Sequence, residues 1–519
     1  MTSNILEYFP YPTPRPVQEE TLTALEQQWD KYDCFVIVAP TATGKTPLSL
    51  AIAEWAGNAR ILTPNNLLVQ QYTDEFKHIP SLVGKQRYRT GNQYAAARYQ
   101  FDRASVGVTN YHLYSLQMLQ DPQRNSRSTL IIDEAHNTLP FLQDQHKLTL
   151  WKHKNGFPWW SKDSDEIRIW LQRLPKRTKI QDILLRDLLS EAPRYVLDHD
   201  SEWGEWSGGG KVPWDRYYGC EATRESKMTR GEVELLPQLV AKPIDIRDYP
   251  ETLWPRGLVS KVILMSATIN QRDIRSLGLD RRRVCYLHCD SPIPAASRPV
   301  QYAPVVKMHR WNKEDGNVRM ADAIFRLSQK HAHEKGLIHA TYEQAEELAR
   351  SIRTMDDPTR PGRPLSERFI FHTPTSKAKA YQQFREASPE SGTILVGSGM
   401  YEGLDLPDDL GRWQALAKIP WQSLEDPAIK HMAEVDPSWY TWETLKLLIQ
   451  ACGRICRTPT DYGITYILDG SFEKLYTDGK KFGLIPDWWA EAVDLGRYTE
   501  EDVDKFLEEN AELMDRLSE

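Results

Sequence analysis

The chain has 519 residues and a formal net charge of −7 at neutral pH. Its length predicts three or four domains, and a hydrophobic content of 40% is typical of soluble proteins. No apolar run is long enough to span a membrane, and the proline-rich N-terminus, which carries Glu7, does not have the pattern of a signal peptide. Six scattered cysteines indicate a reducing compartment. We therefore expect a cytoplasmic or nucleoid-associated protein that is not secreted and does not bind a membrane.

The acidic excess lies at the C-terminus. Residues 500–519 hold nine acidic and two basic side chains, which accounts for the whole net charge. Because the rest of the chain is balanced and can still carry a basic groove, the total charge does not exclude nucleic acid as a ligand. Thr499 and Asp502 fit a capping box. We expect a final acidic helix that packs on the body; docking of a protein partner is the alternative.

The first motif in chain order is a phosphate-binding loop. The apolar run Cys34–Val38 predicts a buried strand, and helical spacing of apolar residues begins at Leu48. The loop between them consists of Ala39, Pro40, Thr41, Ala42, Thr43, Gly44, Lys45 and Thr46, with Ala39 in place of the usual first glycine. A helix N-terminus after such a loop favours polyphosphate. We expect Lys45 to bind the phosphates of ATP and the Thr46 hydroxyl to hold Mg²⁺.

A polar segment of residues 77–105 follows the first motif. In it arginines are interleaved with aromatic residues, namely Arg87, Arg89, Arg98 and Arg103 with Tyr88, Tyr94, Tyr99 and Phe101. This pattern suits a surface that follows a nucleic-acid strand through phosphate contacts and base stacking. A solvated loop with packed tyrosines explains it equally well.

An acidic pair marks the end of the next predicted strand. The apolar run of residues 129–132 leads into Asp133-Glu134-Ala135-His136. We expect Asp133 to bind Mg²⁺ and Glu134 to orient and deprotonate the attacking water. Helix capping alone would explain neither the apolar run nor the upstream loop. The two motifs together predict an ATPase.

A long insertion follows. Strand and helix alternation stops near Asn137 and resumes near Leu258, and residues 138–237 contain seven of the 17 tryptophans. These rings could stack on bases, although the core of a small domain is the favoured interpretation. Beyond the insertion, a strand ends at Ser266-Ala267-Thr268. Ser266 and Thr268, together with His136, are candidates for coupling the phosphate to a second ligand.

The last catalytic motif lies near residue 450. On a predicted helix, Gln450, Arg454 and Arg457 would share one face at i, i+4 and i+7. Two arginines presented in this way suit the charge on a γ-phosphate, and a plain basic helix face is the alternative. We take these three residues, with Lys45 and Glu134, as the catalytic candidates. Cysteine and histidine spacing indicates no metal site apart from magnesium.

Candidate nucleic-acid contacts come from residues that follow predicted strands. Loops at the carboxyl ends of strands are where parallel-sheet domains would meet backbone phosphates. The candidates are Asn65, Asn110, Tyr111 and Thr341. Each is a weak signal by itself.

In this order, the motifs resemble those of superfamily 2 helicases and, more closely, the XPD/DinG-like branch of DNA helicases. Residues 11–18 are similar to the N-terminal element whose glutamine, here Gln18, reads adenine, and Asn137 follows the acidic box as it does in that branch. Residues 399–407 resemble its motif V, in which Asp405 is a candidate nucleotide-binding residue. Relatives with an iron–sulfur cluster place four cysteines between the phosphate loop and the acidic box. None lies between Cys34 and Cys220 here, so no such cluster is expected.

The resemblance implies an α/β fold of two RecA-like parallel-sheet domains that close over ATP and Mg²⁺. The first domain would comprise residues 1–137 and 238–297, interrupted by an arch-like, largely helical insertion at 138–237, and the second residues 298–519. It also implies single-stranded or forked DNA as the partner and 5′-to-3′ travel, with a protein partner at the insertion or the acidic helix as a further expectation. Two alternatives stay open. One is a duplex translocase or RNA helicase on the same fold, and the other is a catalytically degenerate interaction protein.

Overall fold

The computed structural model describes most of the chain, and the described residues form two compact units. The described ranges are 4–146, 148–151, 164–174, 177, 218–229, 232–243, 246–247, 253–308, 313–353, 355–400, 404–424 and 427–496. The first unit draws on Met1–Val38, Lys45–His288 and Ser423–Trp439, and the second on Ala39–Gly44, Cys289–Gln422 and Tyr440–Glu519. The predicted C-terminal acidic helix and Tyr401–Gly403 lie outside the described residues, as do five of the insertion's seven tryptophans.

Outside the insertion, strands and helices alternate along most of the first part of the chain, as parallel sheets with helical crossovers require. Its strands are β1 (Cys34–Val38), β2 (Ala59–Thr63), β3 (Ser81–Leu82), β4 (Val106–Asn110), β5 (Thr129–Asp133), β6 (Leu148–Trp151), β7 (Tyr218–Thr229), β8 (Glu232–Pro243), β9 (Lys261–Ser266) and β10 (Val284–His288). Its helices are α1 (Pro16–Gln28), α2 (Lys45–Ala56), α3 (Asn66–Glu75), α4 (Gly91–Arg103), α5 (Tyr111–Gln120), α6 (Pro122–Asn125), α7 (Thr138–Gln145), α8 (Ser164–Arg173) and α9 (Gln271–Ser276).

The same alternation continues to the end of the described chain. The strands there are β11 (Val300–Val306), β12 (Gly336–Ala340), β13 (Phe369–Ile370), β14 (Ile394–Ser398), β15 (Trp413–Leu416), β16 (Ile464–Asp469) and β17 (Val493–Asp494). The helices are α10 (Lys313–Lys330), α11 (Tyr342–Ile352), α12 (Lys377–Glu386), α13 (Pro427–Val435), α14 (Pro437–Cys452), α15 (Phe472–Lys481) and α16 (Asp487–Ala490).

The first sheet has seven parallel strands in the order β10-β1-β9-β5-β2-β4-β3. Every residue of β1, β2, β4 and β5 is buried, as expected for strands whose two faces are both covered. One row of side chains runs across the sheet, since Val36 and Ile132 both pair with Leu264. All three belong to one core cluster. This row anchors the three strands that carry the sequence motifs.

The second sheet also has seven parallel strands, in the order β13-β14-β12-β15-β16-β11-β17. Ile338 pairs with Val396 on one side and with Ala415 on the other, and the three share a core cluster. The predicted fold class of two parallel-sheet domains is thus confirmed. Each apolar run that predicts a strand is a strand in the structure.

The described part of the insertion contains α8 and a three-stranded antiparallel sheet in the order β6-β8-β7. β7 and β8 are 12 residues long each and form a hairpin. The sequence pattern does not indicate these two strands. Among the described helices, none combines the length and apolar character needed to cross a bilayer.

Candidate active site

The three motif-bearing strands of the first sheet are neighbours. β9 lies between β1 and β5, and its last residue, Ser266, pairs with Val38 at the end of β1. Asp133, the last residue of β5, pairs with Met265. Because parallel strands end at the same edge of a sheet, the ends of β1, β5 and β9 lie side by side there. This is the edge at which open parallel sheets bind their ligands.

The phosphate loop connects β1 to α2. Two of its residues have a left-handed backbone, Ala42 with φ 67° and Gly44 with φ 81°. The Thr43 side chain is buried and its hydroxyl donates to the Pro40 carbonyl at 2.7 Å. A left-handed alanine is strained, and strain of this kind is concentrated at functional sites. Ala39 is not among the residues with a positive φ, so the backbone there does not require the usual first glycine.

Asp133 is a buried carboxylate, 4% exposed, whose two oxygens are both held. Its Oδ1 accepts from the Glu134 N–H at 3.0 Å and its Oδ2 from the Tyr72 hydroxyl at 3.0 Å. The Tyr72 hydroxyl also lies 2.6 Å from Ser49 Oγ on α2, the helix that begins with Lys45. The acid at the end of β5 is thereby tied to the helix of the phosphate loop.

Glu134 turns the chain sharply after β5, with a left-handed φ of 50°. Its Oε1 lies 3.4 Å from Lys45 Nζ, and its Oε2 lies 3.4 Å from His136 Nδ1. The Glu134 side chain is 31% exposed and the Lys45 side chain 15% exposed, so this pair lies at the edge of the fold. Two residues predicted from separate motifs therefore contact each other.

The environment of Asp133 changes its acidity. Burial, assisted by the negative charge of Glu134, raises its pKa from 3.8 to about 6. The positive charge of Lys45 and the hydrogen bond from Tyr72 oppose this rise. Carboxylates with a raised pKa are typical of functional sites. A cation bound beside Asp133 would offset the cost of burying its negative charge.

His136 connects the acidic box to the Ser-Ala-Thr motif. Its Nδ1 lies 2.8 Å from Ser266 Oγ, and its Nε2 lies 2.9 Å from the Asn137 side-chain amide. Ser266 Oγ in turn accepts from the Thr268 N–H at 3.1 Å. A continuous chain of hydrogen bonds therefore runs from beside Glu134 into the segment that follows β9. The three residues predicted as coupling candidates are the members of this chain.

The side chain of Gln18, for which the resemblance implies a contact with adenine, makes a hydrogen bond within the protein. Its side-chain oxygen accepts from the Arg15 N–H at 2.9 Å, closing the first turn of α1, in which Pro16 is the first residue. The residue is 3% exposed. The fold thus fixes where the amide lies, and its role toward adenine remains a proposal.

Three of the nucleic-acid candidates are helix N-caps. Asn65 caps α3, Asn110 caps α5 and Thr341 caps α11, each accepting from backbone N–H groups of the first turn. Their side-chain oxygens are therefore engaged in holding the helix starts. The fourth candidate, Tyr111, is a correction. It is 1% exposed and its hydroxyl donates to the backbone carbonyls of Asp133 and Glu134, so it supports the acidic pair from inside the core.

The segment rich in arginine and tyrosine contains helix α4 rather than only a solvated loop, and its contact with nucleic acid stays a prediction. Arg98 is tied to Asp102 at 2.8 Å and to Asn125 at 2.8 Å, and Phe101 is buried. By contrast Tyr99 is 62% exposed, with the Arg103 guanidinium over its ring at 5.3 Å. The inner face of α4 is packed structure, and the outer face is basic and aromatic.

The late arginines do not lie on a helical face. α14 ends at Cys452, so Gln450 is its only member of the three, and the prediction for Arg454 and Arg457 is wrong in this respect. We call residues Gly453–Arg457 the arginine loop. In it Arg454 donates from Nε to the Gln450 carbonyl at 2.9 Å and from Nη1 to the Leu404 carbonyl at 3.1 Å.

Arg457 pairs with the candidate nucleotide-binding acid. Its Nε donates to Asp405 Oδ1, and its Nη1 donates to the Gly453 carbonyl at 3.2 Å. The Asp405 side chain is 61% exposed and that of Arg457 is 30% exposed. The structure therefore gives Asp405 an arginine partner, and a direct contact of this acid with nucleotide stays a prediction.

Two partners of the predicted residues, one in each unit, carry no signal in the sequence. Tyr72 holds Asp133 from α3, and Asp461 accepts from the Arg457 N–H at 3.0 Å. A lone tyrosine in a helix and a lone aspartate in a loop are common everywhere. Only the tertiary structure identifies them.

Comparisons with known families agree with this architecture. The sequence model of the "Type III restriction enzyme, res subunit" family matches residues 11–144, and that of the "Helicase C-terminal domain" matches residues 324–491. The two matches cover the phosphate loop and acidic box in one case and the arginine loop in the other. A comparison with curated proteins found no match.

Solved structures of XPD proteins share the fold. A structure described as XPD helicase has a TM-score of 0.58 at 16% identity, covering 91% of this chain and 98% of that chain. An apo XPD structure has a TM-score of 0.57 at 15% identity, covering 90% and 98%. S. tokodaii Xpd4 has a TM-score of 0.56 at 14% identity, covering 93% and 100%. At these identities the likeness shows the fold, two RecA-like parallel-sheet domains, and the two family models each match part of the chain.

Proposed function

We propose that the protein is an ATP-dependent DNA helicase that translocates on single-stranded DNA in the 5′-to-3′ direction. One observation carries the ATPase part of this proposal. Lys45 lies 3.4 Å from Glu134, and His136 beside that acid is hydrogen bonded to Ser266, so three motifs form one connected cluster at a sheet edge. Packing alone gives no reason for these polar groups to meet at the end of three buried strands.

The residues present fit a magnesium ion. Mg²⁺ prefers one or two carboxylates together with phosphate oxygens and water rather than a cage of protein ligands. Asp133 and the Thr46 hydroxyl would hold the ion, which neutralises charge on the transferred phosphate. The raised pKa of Asp133 fits a carboxylate that has a cation as its partner.

The other catalytic and nucleotide-binding candidates also have roles toward ATP in this proposal. Lys45 binds the β- and γ-phosphates at the start of α2, where the helix dipole adds positive charge. Glu134 accepts the proton of the attacking water, for which its partly exposed carboxylate is suitably placed. Arg454 and Arg457 stabilise the charge that grows on the γ-phosphate, and Gln18 contacts the adenine.

The choice of DNA and of direction rests on the resemblance to the XPD/DinG-like branch. We infer the domain division stated above from the same source, with the insertion at 138–237 as the arch-like element. The exposed basic and aromatic face of α4 supports a nucleic-acid partner, since such faces combine phosphate contacts with stacking. An RNA helicase or a duplex translocase would use the same ATP residues.

Unwinding of forked DNA tests the proposal directly. DNA substrates that carry only a 5′ tail or only a 3′ tail at the fork are incubated with ATP and either the wild-type protein or the Lys45→Ala variant. We expect strand separation of the 5′-tailed fork by the wild-type protein alone. Unwinding of only the 3′-tailed fork would overturn the direction. ATP hydrolysis stimulated by RNA or by blunt duplex, but not by single-stranded DNA, would favour the alternative activities.

A further inference from the structure

Asp461 is a buried carboxylate that no recognised motif contains. It is 1% exposed and lies three positions before the first residue of β16. Its Oδ1 accepts from Arg412 Nη1 at 2.8 Å and from the Tyr462 N–H at 2.8 Å. Its Oδ2 accepts from the Arg457 N–H at 3.0 Å and from the Asp408 N–H at 3.1 Å. Both oxygens are thus fully used.

One oxygen joins the two segments whose side chains form an ion pair. Arg457 closes the arginine loop, and Asp408 closes the stretch that carries Asp405. The backbone at Asp408 is left-handed, with φ 53°, so this turn is strained and needs external support. The side chains of Arg457 and Asp405 contact each other. Asp461 therefore holds the backbone of Arg457 itself and the backbone of Asp408, three positions after Asp405.

The start of the arginine loop is anchored by a second buried polar residue. Gln414, on β15, is 0% exposed and donates to the Cys452 carbonyl at 2.9 Å and to Thr465 Oγ1 at 2.8 Å. In the middle of the loop, the Arg454 carbonyl accepts from the Leu406 N–H at 3.2 Å. The loop backbone is therefore held at its beginning, middle and end by groups from other strands and segments.

We propose that Asp461 is a positioning residue for Arg457, fixing the arginine loop against the Asp405 segment so that the guanidinium is presented in one place. The inference rests on the proposed ATPase function. Burying a carboxylate costs several kcal/mol unless its lone pairs are satisfied, and the four donors around Asp461 satisfy them. The four donors around Asp461 need two acceptor oxygens. Asparagine has only one, so the neutral isostere cannot hold both backbones.

The chain offers a matched control in Asp357. This acid is also 1% exposed, belongs to the same unit, and lies 3.8 Å from the buried guanidinium of Arg368. Its Oδ1 accepts from the Thr359 N–H at 3.0 Å. None of these partners belongs to the arginine loop or to the Asp405 segment. Asp357→Asn therefore reproduces the loss of a buried charge without touching the proposed clamp.

The experiment compares Asp461→Asn with Asp357→Asn in urea unfolding and in ATP hydrolysis stimulated by single-stranded DNA. We expect both to lower stability, and only Asp461→Asn to lower kcat by about 10- to 100-fold with KM for ATP nearly unchanged. In an Arg457→Ala background Asp461→Asn should have no further effect on kcat, because the group that it positions is gone. If Asp461→Asn does not fold, Asp461→Glu keeps the charge, displaces both oxygens and carries the same expectation.

The outcomes separate this inference from the proposed function. If Arg457→Ala lowers hydrolysis while Asp461→Asn matches Asp357→Asn in kcat, the positioning role is wrong and the ATPase proposal stands. If the wild-type protein hydrolyses no ATP with any nucleic acid, the proposed function itself is wrong.

Discussion

Lys45 Nζ lies 3.4 Å from Glu134 Oε1, so the cation of the phosphate loop is adjacent to the acid that is proposed to activate water. The two residues are 89 positions apart in sequence, and each follows a different strand of one sheet, Lys45 after β1 and Glu134 after β5. Their proximity means that one ligand can engage both, with its phosphates on the lysine and its attacking water on the glutamate. The ATPase proposal is built on this pair.

Glu134→Gln separates binding from chemistry at this pair. The glutamine keeps the shape of the side chain but cannot accept a proton from water, so we expect ATP turnover to fall by about 10²- to 10⁴-fold. Binding of a fluorescent ATP analogue should change by no more than a few-fold, since Lys45 and the loop are intact. Glu54→Gln, at a carboxylate bonded to His78, serves as control and should keep full turnover. Near-normal turnover in Glu134→Gln would show that Glu134 is not the general base and that another group accepts the proton.

Arg457→Ala tests the arginine loop. Removal of an arginine that acts on the γ-phosphate costs about 10³- to 10⁵-fold in turnover, so we expect hydrolysis near background while ATP binding is largely retained. The measurement pairs steady-state hydrolysis with nucleotide titration. Arg350→Ala, at a surface arginine paired with Glu347, is the control. A variant that lost binding and turnover equally would show that Arg457 contributes to ground-state affinity instead.

Ser266→Ala should uncouple ATP hydrolysis from nucleic acid. The hydroxyl bonds to His136 and to the Thr268 N–H, and its loss interrupts that chain without altering the phosphate loop. We expect basal hydrolysis within about 3-fold of wild type and a clear loss of stimulation by single-stranded DNA. Ser115, also 0% exposed and bonded to Gln145, provides the control variant Ser115→Ala. Equal stimulation in wild type and Ser266→Ala would remove the coupling role.

Asp133→Asn should increase stability at neutral and higher pH. Because folding raises the pKa of Asp133 from 3.8 to about 6, the ionised carboxylate is disfavoured in the folded state. This cost is fully present above pH 6 and disappears below pH 4, where the acid is protonated in both states. We expect a gain on the order of 2 kcal/mol at pH 8 that shrinks toward zero at pH 4.

Urea unfolding at both pH values measures this gain, with the exposed acid Asp74, bonded to Gln70, as the site of a control variant Asp74→Asn. Activity should be lost in Asp133→Asn at every pH, since the amide cannot replace the carboxylate. A variant less stable than wild type at pH 8 would contradict the assignment of a destabilising buried charge.

The sequence predicts the sheets well because buried parallel strands read as continuous apolar runs. Residues 34–38 and 129–132 have such runs, and both lie in strands with every residue buried. The motifs then follow the strands directly, so placing the strands places the motifs at one edge. This local logic is why Asp133, Ser266 and Lys45 could be assigned to a common site in advance.

Contacts between residues that are far apart in sequence could not be predicted in this way. Tyr111 follows a capping asparagine and looks like a surface residue, yet its hydroxyl reaches carbonyl groups 22 and 23 positions away. Tyr72 and Asp133 are 61 positions apart. No periodicity encodes these pairs. The end of α14 at Cys452, by contrast, could have been predicted from the sequence. A glycine directly after the last helical residue is a common stop signal, and Gly453 has that position.

Steady-state ATP hydrolysis with and without single-stranded DNA tests the central claim most directly, with Lys45→Ala as the background. The account predicts hydrolysis by the wild-type protein that rises at least several-fold when single-stranded DNA is added and is absent in Lys45→Ala. Hydrolysis by the wild-type protein no greater than that of Lys45→Ala, with single-stranded DNA, duplex and RNA alike, would contradict it.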